Sequence, residues 1–272
     1  MNSSRFFAAA VQLWAGSDKA QNLDKAEAFV RDAQRQGARL VVLPEVFLWR
    51  GEHDQEAAAA ESIPGPSTQR LSALARQLGI HLLAGSILEA NGSPRPYNTS
   101  LLFDPRGEII GRYRKLHLFD VDIPGHVTIR ESDMRAPGDD VVVVATELGS
   151  IGLSICYDLR FPELYRALTS RGAEIIVVPA AFTFATGAAH WEILLRARAI
   201  ENQVYVIAPD QIGKSPSGVV DFGNSMIVDP WGQTLARAAD REMIIVAEID
   251  LGYQQQVRTQ LPALSHIRLA RS

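Results

Sequence analysis

The sequence lacks several features that would assign it to a specialised class of protein. It contains one cysteine, so no internal disulfide can form, which fits a reducing, cytoplasmic compartment. No stretch approaches the ~20 apolar residues that cross a bilayer, so no membrane partner is expected. The formal net charge of -4 gives no basic field for a nucleic-acid backbone. These absences favour a small molecule as the partner.

Signatures of bound phosphate or metal are also missing. The segments "PGP" and "GKS" lack the frame of a phosphate-binding loop, and Gly213-Lys214-Ser215 is predicted to be a flexible loop tip. His117, Asp120 and Asp122 in "HLFDVD" do not have the spacing of a standard ligand set. We therefore expect neither a metal nor a cofactor.

The first 45 residues predict a strand, a helix and a second strand. "RFFAAAVQLWAG" resembles a secretion signal in its charge and apolar run, but Gln12 interrupts the run and no A-x-A site follows, so a strand is predicted. The helix begins with Ser17 or Asp18 as its cap and stops at Gly37. "ARLVVLPE" is short and β-branched, which indicates a buried strand that ends at Glu45.

The rest of the chain alternates between helical and extended patterns. Residues 114–139 are predicted to form a long irregular segment, and segments of that length inside compact domains are usually functional. Helices are predicted at 67–78, 161–171 and 188–202, and strands at 140–145, 150–156, 174–178, 203–209 and 242–250.

Two pairs of similar segments occur in the same order in the two halves of the chain. "GARLVVLPE" at 37–45 matches "GAEIIVVPA" at 172–180, and "SLLFDPRGEII" at 100–110 matches "SMIVDPWGQTL" at 225–235. Turns of this kind also recur by chance, but the shared order favours duplication. We therefore predict an α/β fold, a four-layer α-β-β-α sandwich with pseudo-twofold halves.

Cys156 is the candidate nucleophile because it stands at the end of a predicted strand and just before a predicted helix. The alternative is a buried cysteine that serves only as a small apolar side chain. The amino end of the helix and the nearby Arg160 are expected to lower the pKa of the thiol, which favours the reactive thiolate.

Either a histidine or a carboxylate could act as the base for this thiol. None of the six histidines has a placement that singles it out, so a Cys-His hydrolase stays open. Glu45 is the competing candidate, since it directly follows a buried strand and a proline. Lys115, which comes just past a strand, could stabilise an oxyanion; its alternative is a surface charge.

At this point the residues resemble a known family. "LPE" with Glu45, "YRKLHLFD" with Lys115 and "CYDLRFPE" with Cys156 resemble, in order and spacing, the Glu-Lys-Cys triad of the nitrilase superfamily, the carbon-nitrogen hydrolases. The match covers nearly the whole chain. Further segments, among them "KLHLFDVDIPG" and "TGAAHWEILLRARA", look most like the branch of omega-amidase and deaminated glutathione amidase. "PEVFLWRGEHD" departs from that branch and leaves one wall of the substrate pocket undefined.

The resemblance implies roles for individual residues. Glu45 would be the base, Cys156 the nucleophile, and Lys115 with the backbone N–H of Tyr157 would hold the oxyanion. Glu131 would be a second catalytic glutamate, with a surface charge as the alternative.

Three further residues are expected to bind the substrate. Arg160 is the candidate clamp for a substrate carboxylate, with an ion pair to Glu163 as its alternative. Phe182 and Thr186 match positions that line the pocket in relatives, although Phe182 could belong only to the core.

The expected protein is a single carbon-nitrogen hydrolase domain over 1–272. Its substrates would be omega-amides such as alpha-ketoglutaramate, or deaminated glutathione. The alternatives are a nitrilase, an N-carbamoyl amino acid amidohydrolase and, in another class, a catalytically silent binding partner. By analogy the chain would form a homodimer or a higher homo-oligomer, with the "FPELYRAL" helix and the tail at about 258–272 as contacts.

Overall fold

The computed structural model describes residues 5–125 and 127–269, so 1–4, 126 and 270–272 lie outside the described residues. The strands are β1 (Arg5–Gln12), β2 (Ala38–Val42), β3 (His81–Leu83), β4 (Ile87–Glu89), β5 (Tyr97–Phe103), β6 (Ile109–Arg114), β7 (Asp120–Ile123), β8 (Val127–Arg130), β9 (Val143–Thr146), β10 (Gly149–Leu153), β11 (Ile175–Val177), β12 (Tyr205–Ala208), β13 (Ile212–Lys214), β14 (Val220–Phe222), β15 (Met226–Val228), β16 (Thr234–Arg237) and β17 (Met243–Asp250). The helices are α1 (Lys19–Arg35), α2 (Glu56–Ala59), α3 (Pro66–Leu78), α4 (Glu131–Met134), α5 (Pro162–Ser170), α6 (Phe184–Asn202) and α7 (Leu251–Gln260). Short 3-10 helices occur at His53–Gln55, Cys156–Arg160 and Ala263–His266.

The strands form two main sheets with matching order. In the first, the order is β17-β1-β2-β3-β5-β4, and β6 also pairs with β5. In the second, the order is β16-β15-β12-β11-β10-β9. Each sheet has three neighbouring parallel strands, β1-β2-β3 and β10-β11-β12, with an antiparallel strand on either side. The predicted duplication is therefore seen in the topology of both halves.

Two faces of the first sheet are buried in different ways. Alternate residues of β1, such as Ala8 and Ala10, pack in one core with the second sheet. Ala9 and Val11 point the other way and pack with residues of helices α1 and α3. Side chains point alternately to the two faces of a strand, so both faces here are covered. Helices α1 and α3 cover the first sheet, and α5 and α6 cover the second. The predicted four-layer α-β-β-α sandwich is confirmed.

Local signals in the sequence explain where several elements begin and turn. Asp18 accepts a hydrogen bond from the Gln21 N–H and caps α1, as expected of one of the two candidate caps. Gly79 ends α3 in the left-handed conformation. The repeated Asp-Pro-x-Gly turns are alike, because Gly107 and Gly232 both have positive φ and donate to Asp104 and Asp229.

The structure differs from the sequence predictions in three segments. Residues 114–139 are not irregular throughout, since they contain the β7–β8 hairpin and the short helix α4. The predicted loop tip at 213–215 is part of the β13–β14 hairpin. Helix α6 begins four residues before the predicted start at 188. The strands of the two hairpins have only three or four residues each, which is too short for a clear periodic pattern in the sequence.

Candidate active site

Three chain segments that follow strands converge at one end of the sandwich. Glu45 follows β2, Lys115 follows β6, and Cys156 follows β10 of the other sheet. All three side chains line one pocket, together with Glu131 from α4. The pocket has a free volume of about 680 Å³, including its open mouth. The sequence-predicted group is thus brought together by strands of both sheets, as expected when ligands bind beyond the carboxyl ends of strands.

The Glu45 carboxylate is buried and held from three directions. Its Oε1 accepts hydrogen bonds from Lys115 Nζ at 2.9 Å and Asn98 Nδ2 at 2.8 Å, and its Oε2 accepts from the Ala181 N–H at 2.9 Å. The backbone is fixed as well, since Gln211 Nε2 donates to the Glu45 carbonyl at 2.9 Å. These contacts come from both halves and leave the carboxylate one orientation in the pocket.

Lys115 is fully buried between two carboxylates. Its Nζ donates to Glu45 Oε1 and to Glu131 Oε2, each at 2.9 Å. Burial alone would lower the pKa of Lys115, but the charges of Glu131 and Glu45 outweigh burial and raise it. The lysine is therefore a permanent cation, and the alternative of a surface charge is excluded.

Glu131 is also buried, so its predicted alternative as a surface charge is excluded too. It accepts from Lys115, from Arg135 Nη1 at 2.8 Å and from the Phe119 N–H at 2.6 Å. Burial would raise the pKa of Glu131, but the charges of Lys115 and Arg135 dominate and lower it to about 2. The residue is ionised and fixes the lysine from the side opposite Glu45.

Cys156 lies at a sharp backbone turn with φ of 47°, a conformation that is uncommon for residues other than glycine. Burial raises the pKa of its thiol well above the usual value, and the charge of the neighbouring Glu45 carboxylate raises it further. The expectation of a lowered pKa is therefore wrong, because desolvation outweighs the helix end. The resting group is a neutral thiol with a carboxylate beside it.

The turn at Cys156 is stabilised by a buried carboxylate two residues later. Asp158 accepts from the Ile155 N–H at 2.8 Å, from the Tyr113 hydroxyl at 2.6 Å and from the His117 N–H at 3.1 Å. It therefore joins the cysteine turn to the segment that carries Lys115. Among the described residues the Tyr157 N–H has no hydrogen-bond acceptor, so it is free to donate to a ligand next to Cys156.

The residues that line the pocket include none of the four predicted substrate-binding residues, Tyr157, Arg160, Phe182 and Thr186. Arg160 donates to His190 Nδ1 at 3.2 Å, and its guanidinium lies 5.1 Å from the Phe182 ring centroid. Phe182 is buried against Trp191, and the Thr186 hydroxyl lies 2.8 Å from that of Thr183. The pocket wall at this place is formed by Ala181 and Thr183.

Sequence reasoning missed several residues of the site. Arg135, which lines the pocket, donates two hydrogen bonds to Glu56 and one to Glu131. Burial would raise the pKa of Glu56, but Arg135 and then His53 lower it to about 2. Asn98 was also missed. Only the pairing of distant elements brings these residues together, and no local pattern could have found them.

Carboxylate, lysine and cysteine side chains in one pocket of an α-β-β-α sandwich define a nitrilase-like site, and comparison with known proteins agrees. The carbon-nitrogen hydrolase family profile matches residues 7–259. The mouse omega-amidase NIT2 is 43% identical over 265 residues, covering 97% of this chain and 96% of that protein.

Solved structures give the same result. Nit3 of Saccharomyces cerevisiae, a member of branch 10 of the nitrilase superfamily, has a TM-score of 0.88 at 35% identity, covering 98% of this chain and 97% of that one. The NitFhit protein of C. elegans has a TM-score of 0.92 at 39% identity; this chain is 98% covered and spans 66% of that longer chain. The chain therefore belongs to the carbon-nitrogen hydrolase family, as its sequence motifs predicted.

One further feature concerns membranes. Within residues 5–125 and 127–269, no helix combines the length and apolar composition that a transmembrane span requires.

Proposed function

We propose that this protein is a thiol amidase that hydrolyses omega-amides of dicarboxylic acids, such as alpha-ketoglutaramate, with release of ammonia, or deaminated glutathione, with release of the amine held in its amide bond. The observation that supports it most is the Glu45 carboxylate, which lines the same pocket as Cys156 and is bound to Lys115 at 2.9 Å. The similarity to omega-amidases over nearly the whole chain supports the substrate class. Neither a metal nor a cofactor is needed for this chemistry.

The first half of the reaction forms a thioester. Glu45 accepts the thiol proton as Cys156 Sγ attacks the amide carbon, so the thiolate forms only when it is used. The carbonyl oxygen becomes an oxyanion, which Lys115 Nζ and the Tyr157 N–H stabilise by hydrogen bonds. The C–N bond then breaks, and the proton held by Glu45 passes to the departing nitrogen, which leaves as ammonia from a primary amide or as a free amine from deaminated glutathione.

The second half regenerates the enzyme. Glu45 takes a proton from a water molecule that attacks the thioester carbon, and the same oxyanion donors act again. The C–S bond breaks, the sulfur recovers its proton from Glu45, and the carboxylic acid leaves. Glu131 and Arg135 do not exchange protons in this scheme; they hold Lys115 in place.

Cys156→Ala tests the proposal. It removes the nucleophile without adding volume, so ammonia release from alpha-ketoglutaramate and amine release from deaminated glutathione should each fall by roughly 10⁴-fold or more. Ammonia yield from matched amide, nitrile and N-carbamoyl compounds measures the preferred bond in the wild type. Unchanged ammonia release in Cys156→Ala contradicts the mechanism, and a higher yield from the nitrile or carbamoyl compound contradicts the substrate class.

We further propose that the chain acts as one domain in a cytoplasmic homodimer or higher homo-oligomer, with helix α5 and the tail at about 258–272 at the contact; residues 270–272 of that tail lie outside the described residues. Light scattering at micromolar concentration tests this arrangement. A particle of 29.8 kDa, the mass of one chain, would contradict it.

A further inference from the structure

The pocket wall after Glu45 carries residues that the proposed reaction does not use. Trp49, Arg50, Gly51 and His53 line the same pocket as Cys156. This is the segment "PEVFLWRGEHD", whose sequence leaves that wall undefined. A wall that faces the nucleophile without taking part in bond breaking is placed to contact the remainder of the substrate.

The lysine and arginine side chains that line the pocket differ in how far carboxylates already neutralise them. Lys115 is bound to Glu45 and Glu131, and Arg135 is bound to Glu131 and Glu56. Arg50 has an ion pair with one carboxylate among the described residues, that of Asp221. An arriving anion therefore meets the least neutralised of these three cations at Arg50.

Arg50 is held in a fixed orientation. Its Nη1 and Nη2 donate to the two carboxylate oxygens of Asp221, a fork-to-fork arrangement that sets the plane of the guanidinium. The Asp221 side chain is fully buried, whereas the Arg50 side chain is 12% exposed. The backbone is fixed as well, since the Arg50 N–H donates to the Gly16 carbonyl at 2.8 Å.

The guanidinium keeps donors for a second anion. Arginine has five N–H donors, and Asp221 uses two of them. Within the described part of the chain no other acceptor binds the remaining three. Asp221 itself is anchored by its backbone beside Thr183, another lining residue, so the pair is built into the wall of the pocket.

We propose that Arg50 is a specificity-determining residue, whose guanidinium binds the substrate carboxylate that lies distal to the reacting amide. The inference rests on the proposed function and identifies which side chain selects the charged substrate. It replaces Arg160 in that role, because Arg160 donates to His190, lies over the Phe182 ring and does not line the pocket.

The test compares two amides that differ in one group. Succinamate carries a carboxylate distal to its amide, and butyramide has a methyl group in its place. In Arg50→Gln, the ratio of kcat/KM for succinamate to kcat/KM for butyramide should fall about 10- to 100-fold, mainly through a higher KM for succinamate. An equal change for both amides overturns the inference.

Two further variants keep the test decisive. Arg50→Gln leaves Asp221 buried without its cation, so the double variant Arg50→Gln/Asp221→Asn removes both charges and should show the same loss of selectivity with less loss of stability. Arg160→Gln is the matched comparison. If Arg160→Gln lowers the ratio and neither Arg50 variant does, the assignment to Arg50 is wrong.

Failure of this inference is separable from failure of the proposed function. If the wild type releases neither ammonia from succinamate or alpha-ketoglutaramate nor an amine from deaminated glutathione, the proposed function fails. If the wild type hydrolyses succinamate and the Arg50 variants keep the wild-type ratio, the function stands and the carboxylate is bound elsewhere.

Discussion

The two halves of the molecule share a topology but differ at the positions where chemistry takes place. In the first half, Ala10 of β1 pairs with Val42 of β2, and in the second half Leu153 of β10 pairs with Val177 of β11. These two pairs are equivalent, so residues at the same distance after them are equivalent too. Three residues after Ala10 and Leu153 stand Leu13 and Cys156, and three residues after Val42 and Val177 stand Glu45 and Ala180. One half therefore supplies the carboxylate and the other the thiol.

The duplicated backbone accounts for the position of the two strand ends but not for the reactive side chains that they carry. The two equivalent strand ends touch, because the Glu45 N–H donates to the Ala180 carbonyl at 3.4 Å. The repeated backbone thus brings both ends together, but a symmetric pair of sites would need a carboxylate at 180 and a thiol at 13. Leu13 is instead fully buried in the core. Only one of the two equivalent places carries the reactive groups.

The largest effect that we expect in this comparison comes from Glu45→Gln. The amide keeps an acceptor for Lys115 but cannot take the thiol proton. For an omega-amide that the wild type hydrolyses, kcat should therefore fall roughly 10²- to 10⁴-fold. Steady-state ammonia release measures it. The matched control is Glu89→Gln, a buried and ion-paired glutamate outside the pocket lining. If Glu89→Gln lowers kcat as much as Glu45→Gln does, the assignment of Glu45 as the base is wrong.

A substitution at Leu13, the counterpart of Cys156, should change the stability of the fold and leave the chemistry largely unaffected. Leu13→Ala removes apolar volume from a fully buried position and should lower the free energy of unfolding by about 2–5 kcal/mol. Urea denaturation measures the loss, and kcat of the remaining folded enzyme should stay within about tenfold of wild type. A selective loss of kcat by several orders of magnitude, with unchanged unfolding, would show that the first half also carries catalytic chemistry.

The smallest effect that we expect is a change in how stability depends on pH. Burial, and then the neighbouring Asp221, raises the pKa of Asp210 well above its usual value. Folded Asp210 therefore keeps a proton that the unfolded chain releases above about pH 4, so its contribution to stability falls as the pH rises toward the folded pKa. Asp210→Asn removes this proton uptake, and its stability relative to wild type should improve from pH 5 to pH 8.

Urea midpoints of both proteins at the two pH values measure the difference. An exposed control, Asp140→Asn, should differ from wild type by the same amount at both pH values, and a constant difference for Asp210→Asn would contradict the prediction.

Two buried carboxylates of the first half should change stability with pH in the opposite direction. The pKa of Glu131 and that of Glu56 are lowered to about 2, so their contribution is present above about pH 4.5 and is lost as the pH falls toward 2.

The sequence predicted what local patterns encode. A proline and a glutamate after a buried apolar run, and a cysteine at the end of another strand, were enough to predict Glu45 and Cys156 at strand ends. The repeated turns predicted the two-half architecture. These signals work because strand burial and turn geometry depend on neighbours in sequence.

Features that depend on distant contacts were not predictable in the same way. Arg50 and Asp221 lie in different halves, and nothing near either residue indicates their ion pair. The pKa of Cys156 was predicted in the wrong direction because the helix end is a local feature, whereas burial is set by the whole fold. The hairpin β7–β8 was missed because its strands are short and half exposed.

The pairing of β17 with β1 has a consequence for the order of assembly on the ribosome. The Gln12 side chain binds the Ala239 carbonyl, 227 residues further along the chain, and β17 then extends beside the whole of β1. While the chain is being synthesised, β1 keeps an open edge until β17 has emerged. Nascent chains that stall before that point should depend on chaperones to protect this edge from pairing with other polypeptides.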